Sequence, residues 1–318
     1  MKWILPLFAL LFLFLPACRK EKTTLSVFRE LTVPVEDDLS AVWFTDDLNG
    51  AATGGTPWQR GFILSTRDGG DHWAVDTLLQ RKMECVMFDS SGQGYACGQD
   101  IALSLPQGEG HWLNFRTQYQ WARACYFPDS RQGVIVYGES YRRGSADLLG
   151  PEFYWKSDTT FEFPNELASV WYSDARTVHA VGIGWVMRSE DGGRHWQRLD
   201  ITGDFFTRVQ FPTPQTGYIC GSSGAILKTT DAGLSWQNIR KGGSTGKRHQ
   251  PFRALWFSTA DEGWLVGDNG LFWYTGNGGL DWTPVADAPG QIDFTGIFVR
   301  NNRGWITAKG GRMYYFER

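Results

Sequence analysis

The chain has 318 residues, of which 42% are hydrophobic, 20% charged and 15% aromatic, enough apolar material for a large packed core and too much for a disordered polymer. Its 38 glycines and 16 tryptophans against five methionines favour short strands joined by tight turns and argue against an all-helical bundle. The formal net charge of −3 lacks the basic excess that sequence-independent nucleic-acid binding needs, so no nucleic-acid partner is expected.

The first residues read as an address. Lys2 precedes an apolar run from Trp3 to Leu15, too short to span a hydrocarbon core comfortably, and Pro16, Ala17 and Cys18 follow. The ending Leu15, Pro16, Ala17, Cys18 resembles a bacterial lipoprotein signal, with Pro16 departing from the commoner small residue. We therefore expect residues 1–17 to be a signal peptide, 18–24 a lipidated Cys18 with a polar tether, and 25–318 a single domain. The product is expected to be exported and membrane-anchored by lipid, in the periplasm or on the cell surface, and to be monomeric.

From there an internal repeat dominates. Anchors at Phe44, Phe88, Phe127, Tyr172, Phe211, Phe257 and Val299 recur at spacings of 39 to 46 residues, each closing a short apolar run. A second apolar run opens shortly after each anchor, at Gly50, Gly94, Gly133, Val178, Gly217, Gly263 and Gly304. Two such runs around a polar turn predict a hairpin, and seven hairpins predict a repeat array.

The later part of each unit carries a turn signature, clearest from Ser189 through Asp191 to Trp196. It recurs at Thr66, Asp68 and Trp73, at Thr229, Asp231 and Trp236, and at Thr275, Asn277 and Trp282, with eroded copies at Ser104 to Trp112 and Ser157 to Phe161. A Ser/Thr hydroxyl and an Asp/Asn carbonyl oxygen accept backbone N–H groups, while Gly supplies the left-handed turn.

These motifs resemble the Asp-box, or bacterial neuraminidase repeat, of several β-propeller families, and most closely the propellers related to the photosystem II stability and assembly factor. The resemblance spans about residues 40 to 318 and, with the repeat count, predicts an all-β, seven-bladed propeller with four-stranded blades. Residues 25 to 36, with Val27, Phe28, Leu31, Val33 and Val35, are expected to close the last blade as its fourth strand.

Chemistry is sparse. No H-E-x-x-H, ligand-spaced Cys/His cluster or phosphate loop is present, so neither a metal nor a cofactor is expected. Cys85, Cys97, Cys125 and Cys220 read as small buried strand residues; Cys85 and Cys97 are placed to face each other across a hairpin, which leaves a disulfide open. Sialidases share the Asp-box, but their Arg-Ile-Pro motif is missing, and the box Asp residues read as turn formers rather than acids.

Length, aromatics and cations gather in the segments Gly54 to Gly61, Asn114 to Ala122, Glu139 to Phe153 and Arg240 to Phe252. Trp58, Arg60, Trp121, Arg123, Tyr141, Arg142, Arg143, Arg208, Arg248 and Arg253 are the candidate binding residues, with Arg123, Arg208 and Arg253 expected just before their first strands at the mouth of a central channel. Such a face suits carboxylates or an extended protein segment; the alternative is that the arginines pair locally with Asp or Glu. The expected function is a noncatalytic binding or assembly scaffold with an envelope or membrane protein as partner. The other function class kept open is a carbohydrate-active or glycan-binding propeller.

Overall fold

The computed structural model describes residues 22–139, 143–149, 157–242 and 251–318. Among these residues there is no helix, hence none long and apolar enough to cross a membrane. The strands form six sheets. After β1 (Val27–Leu31), the first blade is β2 (Leu39–Phe44), β3 (Gly50–Thr56), β4 (Arg60–Thr66) and β5 (Ala74–Leu79). A six-stranded sheet follows, made of β6 (Met83–Phe88), β7 (Gly94–Leu105), β8 (Leu113–Asp129), β9 (Gln132–Glu139), β10 (Arg143–Leu149) and β11 (Ser157–Phe163). The next blade holds β12 (Leu167–Tyr172), β13 (Val178–Gly182), β14 (Trp185–Ser189) and β15 (Gln197–Leu199). Then come β16 (Phe206–Gln210), β17 (Gly217–Gly221), β18 (Ile226–Thr229) and β19 (Gln237–Arg240), and β20 (Phe252–Phe257), β21 (Gly263–Gly267), β22 (Phe272–Thr275) and β23 (Thr283–Pro284). The last blade is β24 (Phe294–Arg300), β25 (Arg303–Ala308) and β26 (Arg312–Glu317), with β1 as its outer strand.

The propeller thus has five four-stranded blades, not the seven expected, because the second and third repeats share one uninterrupted sheet. The cause is local. Asn114 to Ala122, read as a loop insertion, alternates Phe115, Thr117, Tyr119 and Trp121, a pattern that favours extended chain. It makes β8 one continuous strand that pairs with β7 over its first part and with β9 over its second. Within β7 the chain doubles back at Asp100, whose φ is +58°, so that a Cβ on Gly94 would lie 3.1 Å from Leu105. Ser157–Phe163 is likewise the outer strand β11 instead of a turn.

The repeat pattern has a packing cause. In β3, β9, β17 and β21 the opening glycine lies under its own anchor ring: a Cβ on Gly133 would stand 2.0 Å from Phe127, and one on Gly217 2.6 Å from Phe211. Four of these buried anchor rings then stack face to face on an aromatic of the neighbouring repeat. Phe127 lies 3.8 Å from Tyr95, Phe257 3.5 Å from Tyr218 and Phe211 4.1 Å from His179, all nearly parallel. Phe44 stacks on Trp305 in the same way, at 3.7 Å, and so joins the first blade to the last.

The four boxes are built alike. Thr66, Ser189, Thr229 and Thr275 each accept the N–H of the glycine four residues on, at 2.9 to 3.0 Å, and donate to the following Asp68, Asp191, Asp231 or Asn277. Trp73, Trp236 and Trp282 then meet the anchors Phe44, Phe211 and Phe257 edge-on, and Trp196 meets Phe163. Substituting Thr229→Val keeps the shape and strands the buried Gly233 N–H, an expected loss of about 1–3 kcal/mol measurable by urea unfolding. An unchanged midpoint would show that the hydroxyl is dispensable.

β1 runs antiparallel to β26 from Val27 against Glu317 to Leu31 against Met313, with Phe28 stacked on Tyr314 and Arg312 bidentate on Glu30 at 2.7 and 2.8 Å. The tether expected at 18–24 does not stay free to its end. Thr23 bridges to Val285 and exchanges backbone bonds with Pro284 and Ala286. Cys18 lies outside the described residues.

Candidate functional site

Seven strands face the central channel, and each breaks register by one residue, at the second position of β2, β6, β12, β16, β20 and β24 and at Arg123 within the longer β8. The shifts fall at Leu39/Ala41, Met83/Cys85, Ala122/Ala124, Leu167/Ser169, Phe206/Arg208, Phe252/Ala254 and Phe294/Gly296. A bulge re-aims the extra side chain. The extra residues, Ser40, Glu84, Arg123, Ala168, Thr207, Arg253 and Thr295, all line one cavity of about 490 Å³ at the channel mouth. Lys82, Trp121, Glu166, Arg208, Asp268 and Lys309 complete its charged and aromatic wall.

Arg123, Arg208 and Arg253 therefore meet at the mouth, but from within β8, β16 and β20 rather than just ahead of those strands. Two of them are paired. Arg123 lies 2.7 Å from Glu166 and 3.9 Å from Glu84, with its guanidinium 4.1 Å over the Trp121 ring. Arg253 grips Asp268 through two bonds of 2.7 Å. Lys82 pairs with Glu84 at 3.3 Å, and Lys309 with Asp293 at 2.8 Å, a bond that holds the ammonium above and the carboxyl below their ordinary ranges. Arg208 sits one residue deeper than the bulge, lines both the mouth and the channel below it, and has no carboxylate partner among the described residues. Five cations and three carboxylates line the cavity, so its wall is net positive.

Trp58 extends this wall outward. It is 60% exposed in the β3–β4 turn, held at φ +60° with its N–H on Gln99 Oε1, edge-on to Trp121 at 6.3 Å and beneath Arg81 at 5.6 Å. Arg81, Trp58, Trp121 and Arg123 form a ladder of cations and rings that descends from solvent into the mouth. Trp121 is fixed by its indole N–H, which donates to Glu84 at 2.9 Å. Arg60 turns instead to Asp37 at the outer rim. Arg143 begins β10, and its side chain lies outside the described residues, as do Tyr141, Arg142 and Arg248.

Below the mouth the channel narrows to a space of about 60 Å³ among Trp43, Tyr126, Trp171 and Trp256. These rings touch in sequence, Trp43 to Trp256 at 5.6 Å, Trp256 to Trp171 at 6.1 Å and Trp171 to Tyr126 at 4.5 Å, and burial pushes the Tyr126 phenol up to about 12. A segment entering from the mouth meets cations first and an aromatic floor after them. The box turns follow the third strands and so lie at the opposite end, with their carboxylates committed to turn N–H groups such as those of His72, His195 and Ser235. The bulge ring is a feature that sequence reading missed; its one signal was the polar residue that stands four places before six of the seven anchors, at Ser40, Glu84, Arg123, Thr207, Arg253 and Thr295.

Residues 194–291 match the family model described as Photosynthesis system II assembly factor YCF48. A search of curated proteins returns no match. Among solved structures, YCF48 from Cyanidioschyzon merolae superposes with a TM-score of 0.67 at 14% identity, covering 91% of this chain and 98% of that one. A YCF48 bound to D1 peptide gives 0.69 at 17% identity, with coverage of 94% and 100%. The WD40 β-propeller domain of Doa1 gives 0.72 at 10% identity, with coverage of 94% and 97%. The chain is an Asp-box repeat β-propeller similar, through residues 194–291, to the photosystem II assembly factor family.

Proposed function

We propose that this chain is a noncatalytic scaffold, anchored through lipid on Cys18 in the bacterial envelope, whose channel mouth takes an extended, carboxylate-bearing segment of a membrane or envelope protein. The observation that carries the reading is the cavity at the mouth, where Arg208 stands without a carboxylate partner among the described residues and the Trp58–Trp121 pair flanks the entrance. A similar propeller with D1 peptide bound supports a peptide as the occupant, and the leader ending at Cys18 supports the anchor. Arginine suits this role because its planar fork matches a carboxylate bidentately.

Substituting all three arginines together would also remove the Arg123–Glu166 and Arg253–Asp268 ion pairs, so the informative variant is Arg208→Ala. Crosslinking and affinity capture from the native membranes should recover one envelope protein with the parent chain and with Arg60→Ala. Recovery should fall about tenfold with Arg208→Ala, equivalent to roughly 1.4 kcal/mol of binding. The same set of proteins from all three chains would reject the mouth as the binding face. Loss of membrane association in Cys18→Ala, followed by fractionation, is expected if Cys18 carries the lipid.

A further inference from the structure

Three of the four cysteines that follow Cys18 converge, although their positions carry no ligand spacing. Cys85 on β6 is the cross-strand partner of Cys97 on β7, and Cys125 on β8 reaches them from the next repeat, 3.8 Å from Cys85 between sulfurs. All three sulfurs lie within 4.8 Å of one another, all three residues are buried, and none is in a disulfide. Cys220, the fourth, lies apart against Thr207.

The geometry is that of a ligand set. Three thiolates about 2.3 Å from one ion in a trigonal plane stand about 4 Å apart, close to the spacing of Cys85 and Cys125. Among the described residues no His, Asp, Glu or further Cys joins the group, so the donor set is sulfur alone and three in number. Soft, three-sulfur sites select soft ions of low coordination number, whereas structural zinc requires a fourth ligand. The site is also reachable, since Cys85, Cys125 and Arg208 line the channel below the mouth.

We propose that Cys85, Cys97 and Cys125 form a binding site for one thiophilic metal ion of the Cu(I) class, entered from the channel. Binding forms metal–sulfur bonds, releases the thiol protons to solvent and leaves the ion's oxidation state unchanged. Arg208 offsets part of the negative charge of the resulting thiolate complex.

The test is anaerobic titration of the reduced full chain with Cu(I) against a chromophoric Cu(I) chelator, followed by X-ray absorption of the loaded protein. The expected result is one equivalent per chain with a first shell of three sulfurs. Affinity should fall by more than about a hundredfold in Cys125→Ala and stay unchanged in Cys220→Ala. Stoichiometry and sulfur count are read on the unsubstituted chain and so stand even if Cys125→Ala fails to fold. Failure to compete with the chelator, a two-sulfur shell, or equal loss in Cys220→Ala would overturn the proposal. So would a preference for Zn(II) with a nitrogen or oxygen ligand in the shell, or a Cys85–Cys97 disulfide in the chain as isolated from its membranes.

Discussion

Substituting Trp305→Ala is expected to cost about 3–5 kcal/mol of folding stability, the largest single-residue effect in the molecule. Trp305 is fully buried on β25, where its ring stacks on Phe44 of the first blade and its indole N–H donates to the Gly69 carbonyl at 2.9 Å. One side chain therefore joins the last blade to both the innermost strand and the box turn of the first. Leu31, Leu39, Trp73, Phe298 and Met313 pack in the same cluster, so truncation opens a cavity at the junction that closes the ring. The polar contacts across this junction cannot compensate. Thr295 donates to the Leu39 carbonyl at 2.6 Å and Gly310 to Asp38 at 2.9 Å, but each bond contributes only about 1 kcal/mol net. Urea unfolding should show the loss for Trp305→Ala and a change within about 0.5 kcal/mol for the exposed Trp58→Ala. Equal effects from the two would mean that this junction is not a principal source of stability.

The anchors were legible because each does two jobs that constrain residue type. Phe127 must be flat to lie over Gly133 and aromatic to stack on Tyr95, so both residue types reappear with the repeat. The boxes were legible for a similar reason, since a hydroxyl, an Asp or Asn and a glycine are what the turn's N–H groups and left-handed backbone require. The blade count was not legible. Whether the chain between Leu113 and Ala122 makes a loop or a ladder depends on which neighbours offer hydrogen bonds, and there β7 and β9 offer them to one continuous strand.

At the site, the sequence marked the arginines and tryptophans but not their pairing. Arg123, Arg208 and Arg253 look equivalent along the chain, yet Glu166 and Asp268, 43 and 15 residues from their partners, neutralise two and leave the third. The thiol group was illegible for the same reason. Cys85 and Cys125 are 40 residues apart, one repeat step, which was the available signal that adjacent strands would bring them together.

Acidification below about pH 6.5 is expected to destabilise the fold through His179. In the anchor stack this residue takes the place that Tyr95 and Tyr218 take in other repeats, lying 4.1 Å from the Phe211 ring with no exposed surface. Burial pushes its imidazole down to about 3 from 6.5, and the nearby Arg188 charge adds to the shift. Nε2 lies 3.2 Å from the Ser173 hydroxyl, and the ring is kept neutral. A base with a lowered folded pKa binds its proton in the unfolded chain first, so stability is constant above pH 6.5 and declines as pH falls from there toward 3. At about 1.4 kcal/mol per pH unit, the loss reaches roughly 2 kcal/mol by pH 5 and on the order of 5 kcal/mol over the whole window. The box carboxylates act in a separate, lower window. The His72 N–H on Asp68 and the Ser235 hydroxyl on Asp231 hold both at about 2, so their contribution is present above 3.8 and is lost only below it. Urea unfolding at pH 7 and pH 5 therefore isolates the imidazole. His179→Phe keeps a ring against Phe211 and should remove most of the difference between the two pH values; a variant that retains the full difference would assign the acid sensitivity to another group.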